Sequence, residues 1–168
     1  MFLIIGLIIL APASEAREID GAISLGYEGD HMTFAIELAN FDRASLGAGM
    51  IYNQEYSSDD IQEYRTPHDN YTLLGEKNVD PDYGVYAKIN RKVYDGNIIL
   101  SPGIGIYSSR RWVVAASNVT DYYYKHGDRS TFSFDISFTS YYNPDESFLL
   151  GIGASRMRGI YGSFGYQF

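Results

Sequence analysis

From Ala22 onward the chain repeats one pattern, an apolar residue at every second position with a small or polar residue between. This period of two marks strands rather than helices. Ile23, Leu25 and Tyr27 oppose Ala22, Ser24, Gly26 and Glu28, and Met32, Phe34, Ile36 and Leu38 oppose Thr33, Ala35, Glu37 and Ala39. Leu46, Ala48, Met50 and Tyr52 then face away from Gly47, Gly49, Ile51 and Asn53, and Tyr83, Val85, Ala87 and Ile89 from Gly84, Tyr86, Lys88 and Asn90. A fifth segment sets Ile98, Leu100, Ile104 and Ile106 against Ser101, Gly103, Gly105 and Tyr107, and a sixth sets Phe132, Phe134, Ile136 and Phe138 against Ser133, Asp135, Ser137 and Thr139. The seventh carries Phe148, Leu150, Ile152 and Ala154 against Leu149, Gly151, Gly153 and Ser155. In the last, Ile160, Gly162, Phe164, Tyr166 and Phe168 alternate with Tyr161, Ser163, Gly165 and Gln167.

Eight strands bring both ends of the array to one side. The connections Asn40 to Arg43, Asp95 to Asn97 and Asn143 to Glu146 fall on that side and are short, with Asp95-Gly96 a favoured tight hairpin pair. On the other side Gly29 to His31 and Arg156 to Gly159 are brief, whereas Asn53 to Asp82 and Ser108 to Ser130 are long. Short turns on the periplasmic side and long loops outside are the asymmetry of bacterial membrane barrels. Within the long loops, Arg111 to Ala115 and Tyr122 to Lys125 are strand-like and extend the sheet above the membrane. Two positions interrupt the pattern. Arg91 falls on the apolar face of the fourth strand, which places it near the periplasmic boundary or after a bulge, and Pro102 removes a ladder donor in the fifth, which implies a local bulge.

The face opposite the apolar one decides the orientation. A soluble barrel would turn Lys, Glu and Asp toward water, but here that face is mostly Gly, Ser, Ala and Thr with single charges at Glu28, Glu37, Lys88 and Asp135. Small residues with a few ionic groups fill the narrow interior of an eight-stranded barrel. The expected fold is therefore all-β, an eight-stranded antiparallel up-and-down transmembrane β-barrel in the bacterial outer membrane. A secreted soluble barrel is the reading this orientation disfavours.

The 168 residues suit one domain, with 16 Tyr, 9 Phe and 17 Gly above ordinary usage. The apolar run Phe2 to Leu10 followed by Ala11-Pro12-Ala13-Ser14-Glu15-Ala16 reads as a secretory signal over residues 1–16, with the barrel over 17–168, although no basic residue precedes Arg17. At about ten residues the run is too short for a helical span. There is no cysteine, so no disulfide or thiolate site exists. The formal charge of −8, with no basic stripe, excludes nucleic acid as a partner. Asp59, Asp60 and Glu63, or Asp80 and Asp82, match no complete cation loop, and no metal or cofactor is expected.

A lumen filled by side chains is not a wide pore, since porins use about twice as many strands. Glu37, Lys88 and Asp135 are placed to form an ion network there, structural in the first reading and an ion path in the second. Arg110 and Arg111, with Arg156 and Arg158, cluster at the outer rim, where Arg pairs phosphates bidentately; contact with lipopolysaccharide is the expected use, against plain snorkelling. Tyr56, Tyr64, Tyr71, Trp112, Tyr122, Tyr123 and Tyr124 are the candidate interaction residues of the outer loops, because rigid amphipathic rings bind at low entropic cost.

The ending, Phe164-Gly165-Tyr166-Gln167-Phe168, resembles the aromatic-x-Tyr-x-Phe terminus of outer-membrane barrels, which their assembly machinery reads; that resemblance assigns Phe164, Tyr166 and Phe168 as an assembly signal. Together with Tyr142-Asn143-Pro144-Asp145-Glu146 and Ser155-Arg156-Met157-Arg158, it is similar to the last hairpin of the OmpX/Ail and OmpA-like small barrels. The resemblance implies a monomeric outer-membrane protein whose loops touch surfaces or lipopolysaccharide. Here the fourth outer loop is shorter and the second longer, so no loop role transfers. The alternative is a lipid A-modifying enzyme, an acyl hydrolase or acyltransferase. The deacylases carry His and Ser two apart followed by Asn, whereas this chain has His31-Met32-Thr33-Phe34; the palmitoyltransferases use an Asp-Ser pair, which is absent. The other histidines, His68 and His126, stand in outer loops, and no catalytic residue is assigned. The expected function is non-catalytic: surface interaction or envelope integrity, with lipid, lipopolysaccharide, the assembly machinery and a surface ligand as partners.

Overall fold

The computed structural model describes residues 20–62, 70–120, 122–144 and 147–166. In chain order the strands are β1 (Asp20–Glu28), β2 (His31–Asn40), β3 (Ala44–Tyr52), β4 (Ile61–Gln62), β5 (Tyr71–Asn78), β6 (Asp82–Ile89), β7 (Arg91–Val93), β8 (Ile98–Ser117), β9 (Tyr123–Tyr142), β10 (Phe148–Ser155) and β11 (Gly159–Tyr166). A 3-10 turn spans Ser58–Asp60. The leader 1–16, Glu63, Tyr64, His68, the Asp145-Glu146 pair and Phe168 lie outside the described residues.

Strands β1, β2, β3, β6, β8, β9, β10 and β11 pair antiparallel in that order, and β11 returns to β1 from Gly21↔Tyr166 to Gly26↔Tyr161. The sheet is a closed eight-stranded barrel, the form in which a backbone satisfies every hydrogen bond without water. The alternation read from the sequence now has a direction: Phe134 is 74% exposed while its neighbour Asp135 is 1% exposed. Around the barrel Leu25, Met32, Ile36, Leu38, Val85, Ile104, Ile136, Ile152 and Ile160 stand outward, and glycines, hydroxyls and charges stand inward. Tyr27, Tyr52 and Tyr83 ring the outer end of this belt, and Tyr142, Phe148, Phe164 and Tyr166 the periplasmic end, where Phe148 packs on both Phe164 and Tyr166. Such a surface is stable against hydrocarbon and not against water. The chain spans a membrane as an outer-membrane-type barrel.

Most barrel strands have eight to ten residues, but β8 and β9 have 20 each. At about 3.3 Å per residue these run roughly 66 Å, where a tilted span needs only ~9–11 residues. Their outer halves leave the membrane as a two-stranded ribbon, so most of the described residues between Ser108 and Ser130 are strand. The described parts of the second long connection, residues 53–62 and 70–82, join this ribbon: β5 pairs with its edge on β8, and β4 adds in parallel to β9. The outer sheet therefore runs β5-β8-β9-β4 above the barrel.

Two local expectations change. The Asp95-Gly96 turn is not a two-residue hairpin: Val93 pairs with Ile98, and Tyr94, Asp95 and Gly96 all take positive φ (51°, 57° and 93°) in a wider loop. Pro102 makes no bulge. The β6 ladder to β8 stops at Lys88↔Gly103, and the β7 ladder resumes in the same register at Arg91↔Leu100. The missing proline N–H leaves a gap of two pairs instead. Asn90 sits in that gap, its amide donating to Ser45 Oγ (2.7 Å) and the Asn40 carbonyl (3.1 Å) while Ser101 Oγ donates to its Oδ1 (2.8 Å).

Candidate functional site

The lumen is closed in three layers. At the periplasmic end, the turn after β2 points Phe41 inward, where it is fully buried and packs edge-on against Tyr141 at 5.2 Å, with Ala22, Ala39, Ile99 and Leu149 around it. An apolar layer of this kind disfavours water and ions.

Above it lies the ion pair. Lys88 Nζ is 2.6 Å from Glu37 Oε2, and both side chains are fully buried. Lys88 also donates to the Tyr141 hydroxyl (3.2 Å), and the Tyr86 and Tyr141 hydroxyls donate to the Glu37 carboxylate at 3.3 Å and 3.4 Å. The ammonium lies 5.2 Å from the Tyr86 ring centre and 5.4 Å from that of Tyr141. Removing either charge would strand the other in a dry interior. The rings fit because glycines oppose them: a Cβ on Gly47 would strike Tyr86, one on Gly151 would strike Tyr141, and one on Gly153 would strike Tyr161. The excess of Tyr and Gly thus has a common origin in the crowded lumen.

Asp135 is not part of that pair. Both its oxygens accept from Ser155 Oγ, at 2.7 and 2.8 Å, and one accepts the Met157 N–H at 3.0 Å, while Ser155 Oγ accepts the Arg158 N–H at 3.0 Å. The carboxylate therefore builds the turn between β10 and β11 and faces neutral donors. Arg158 is the second correction. Its expected place at the outer rim, in contact with lipopolysaccharide, does not fit its burial: it is 1% exposed, folded back into the lumen with its guanidinium 4.4 Å from the Tyr86 ring and 4.2 Å from that of Tyr161. Gly159, at φ 65°, reverses the chain next to it. Arg158 closes the outer end of the lumen.

The outer sheet has a core of its own. Ile61, Val79, Trp112 and Val114 are buried together, with Tyr56 and Tyr123 packed on them at 5.3 Å from each other. Trp112, expected as a surface contact, is 3% exposed, and the Lys125 ammonium lies 4.4 Å from its ring. Trp112, Tyr56 and Tyr123 are structural, holding the 53–62 segment across the ribbon. Ion pairs tie the periphery: Lys77–Glu55 at 2.9 Å, Arg110–Asp128 at 3.0 Å, Lys125–Asp128 at 3.4 Å and Arg129–Glu76 at 3.1 Å. The Arg110 and Lys125 cations hold the Asp128 carboxyl below its usual range, and the hydrogen bond to Glu55 raises Lys77. Tyr122 is exposed, Tyr71 and Tyr124 are half-buried, and Tyr71 lies 5.6 Å from the His126 ring.

The rim arginines do not form one cluster. Arg110 is engaged by Asp128, with Asp80 at 3.9 Å. Arg111 is exposed and sits directly opposite Arg129, and Arg156 is exposed on the β10–β11 turn. Arg129 was not singled out by the sequence; its strand position opposite another arginine is visible only once the ribbon register is known. His31 lies 3.3 Å from Asp30, while Thr33, two residues on, is buried and cannot meet a lipid on the outer surface. Asp59 and Asp60 are exposed in the 3-10 turn, and Asp82 accepts from Asn53 Nδ2 at 3.0 Å; among the described residues no group of carboxylates and histidines is arranged to hold a metal.

No protein-family model and no curated protein matches this chain. Among solved structures it is similar to the crystal structure of Ail, the attachment invasion locus protein of Yersinia pestis, at 13% identity and TM-score 0.49, over 90% of this chain and 100% of that one. The same protein in complex with the heparin analogue sucrose octasulfate aligns over the same shares at 12% identity and TM-score 0.39, and its backbone structure in a phospholipid bilayer nanodisc at 13% and 0.43. At these values no residue role passes between the chains, and the barrel stands on its own closure and apolar belt.

Proposed function

We propose that this protein is a non-catalytic outer-membrane barrel that works through the sheet it holds above the outer leaflet. The observation that carries this is the outer sheet itself. Strands β8 and β9 continue well past the lipid-facing belt and recruit β4 and β5 around a separate core of Ile61, Val79, Trp112 and Val114. Anchoring a barrel requires none of this. A rigid platform with Tyr71, Tyr122 and Tyr124 at its surface suits recognition, since ordered aromatics lose little entropy on binding. Tyr64, in the same segment, belongs to this reading.

Lipopolysaccharide is the partner chemistry the rim favours. Arg111 stands exposed opposite Arg129, and the single carboxylate of Glu76 on Arg129 leaves the pair with a net positive charge that a phosphate on Arg111 meets, while Arg156 adds a contact nearer the barrel. Phe164 and Tyr166, and the terminal Phe168, serve as the signal read by the assembly machinery, and the barrel acts as a monomer. Titrating purified lipopolysaccharide into the protein in bilayer nanodiscs tests the reading. Arg111→Gln with Arg156→Gln weakens binding by about tenfold or more, the weight of one to two charge-assisted hydrogen bonds. Unchanged binding removes the lipopolysaccharide role, and altered lipid A acyl chains in cells carrying the protein would replace the whole reading with an enzymatic one.

A further inference from the structure

Arg91 is unexplained by the outer sheet and by the lumen. It is exposed on the lipid-facing side of the sheet, two residues below Ile89, and has no carboxylate within ion-pair distance among the described residues. The register places it at the head of one row across four strands: Arg91 opposes Leu100, Leu100 opposes Ser140, and Ser140 opposes Ile152. The next row toward the periplasm is Val93, Ile98, Tyr142 and Leu150. Along this face the belt is not level. Ser140 is small where its lipid-facing neighbours Leu100, Phe138, Tyr142 and Ile152 are large, and beside it, over the backbone of the inward-facing Gly151 and Tyr141, lies a groove of about 330 Å³ walled by Ile98, Tyr142, Leu150 and Ile152. At about 4.8 Å per strand, the Arg91 backbone stands roughly 10 Å from Ser140, a distance its long side chain and a phosphodiester together bridge.

The geometry points to a bound phospholipid: an acyl chain of the periplasmic leaflet lies in the Ser140–Gly151 groove with its phosphate on Arg91. The groove opens on hydrocarbon, so its occupant is a chain and not water. It sits one row inside Tyr142, at the level where an arginine meets headgroups instead of the costly bilayer centre. A guanidinium beside an apolar groove matches an anionic headgroup above an acyl tail, and phosphate is the anion that arginine grips with two parallel bonds.

This inference rests on the membrane reading above and has a separate readout. The full chain is refolded in alkyl maltoside micelles with phosphatidylglycerol, and native mass spectrometry counts retained lipid, while heat-modifiable gel mobility reports the folded barrel. One phospholipid stays bound to the wild type. Arg91→Gln lowers its occupancy about tenfold or more and Arg91→Lys restores part of it, because the lost contact is a charge-assisted one. Ser140→Leu, which fills the groove from the lipid side, also releases the lipid without changing mobility, and phosphate-free diacylglycerol is not retained. If the Gln and Leu variants hold phospholipid as the wild type does, or diacylglycerol binds equally, the site does not exist and the barrel reading is untouched. If the wild type forms no heat-modifiable barrel, the membrane reading falls and this inference with it.

Discussion

Replacing Lys88 with Met removes a cation of nearly the same length from the centre of the lumen. Glu37 then loses its 2.6 Å partner and keeps only the Tyr86 and Tyr141 hydroxyls, both longer than 3.2 Å. Breaking a fully buried pair by deleting one member costs ~3–5 kcal/mol, because the remaining charge has no water to turn to. Converting both, Lys88→Met with Glu37→Leu, removes the stranded charge. The double variant is expected within about 1 kcal/mol of the wild type, since apolar groups of similar volume commonly replace buried pairs at no loss. Urea titration of the barrel in phospholipid vesicles, followed by heat-modifiable mobility, measures both. The reasoning fails if the single variant costs under ~1 kcal/mol, which would mean water reaches Glu37, or if the double variant is as unstable as the single one.

The periplasmic plug predicts that the wild type carries no ion current in planar bilayers, and that Phe41→Ala costs roughly 3–5 kcal/mol by leaving a cavity beside Tyr141; steady single-channel steps from the wild type would contradict the three-layer closure. Trp112→Ala is expected to loosen the outer sheet alone: protease then cuts within 53–82 and near residue 120 while urea unfolding of the barrel is unchanged, and equal loss in both parts would show that the sheet has no core of its own. The Asp128 carboxyl is held below its usual value by Arg110 and Lys125. Its contribution is therefore present above the ordinary carboxylate range and is lost as pH falls through the lowered folded value. Protease resistance of the ribbon should drop only in acid below that range, and Asp128→Asn should abolish the step; a step near neutrality would implicate another group.

The barrel was legible because a two-residue period is imposed on every membrane strand at once, and because the face opposite the apolar one holds so few charges. Even the strand-like runs at Arg111–Ala115 and Tyr122–Lys125 announced the ribbon. Side chains in turns escape that rule. Phe41 and Arg158 stand in turns, where alternation says nothing about direction, and both fold into the lumen instead of facing outward. Asp135 was on the correct face but too near the outer turn to reach Lys88, a matter of strand stagger that pattern alone does not reveal. Trp112 shares the alternation of Ile104 and Ile106, and its burial depends on Ile61 and Val79, which are distant in sequence. The signal for the lumen tyrosines was present: Tyr86, Tyr107 and Tyr161 lie on faces that also carry glycines, and a ring needs such small neighbours to fit.

Depth-resolved quenching by brominated phospholipids tests the outward-facing belt most directly. In a background with Trp112→Phe, a tryptophan at Phe134→Trp should lose much of its fluorescence to bromine placed along the acyl chains, whereas one at Tyr107→Trp should be indifferent to it. Equal indifference at both positions, or quenching only at position 107, would mean that the apolar face does not meet hydrocarbon.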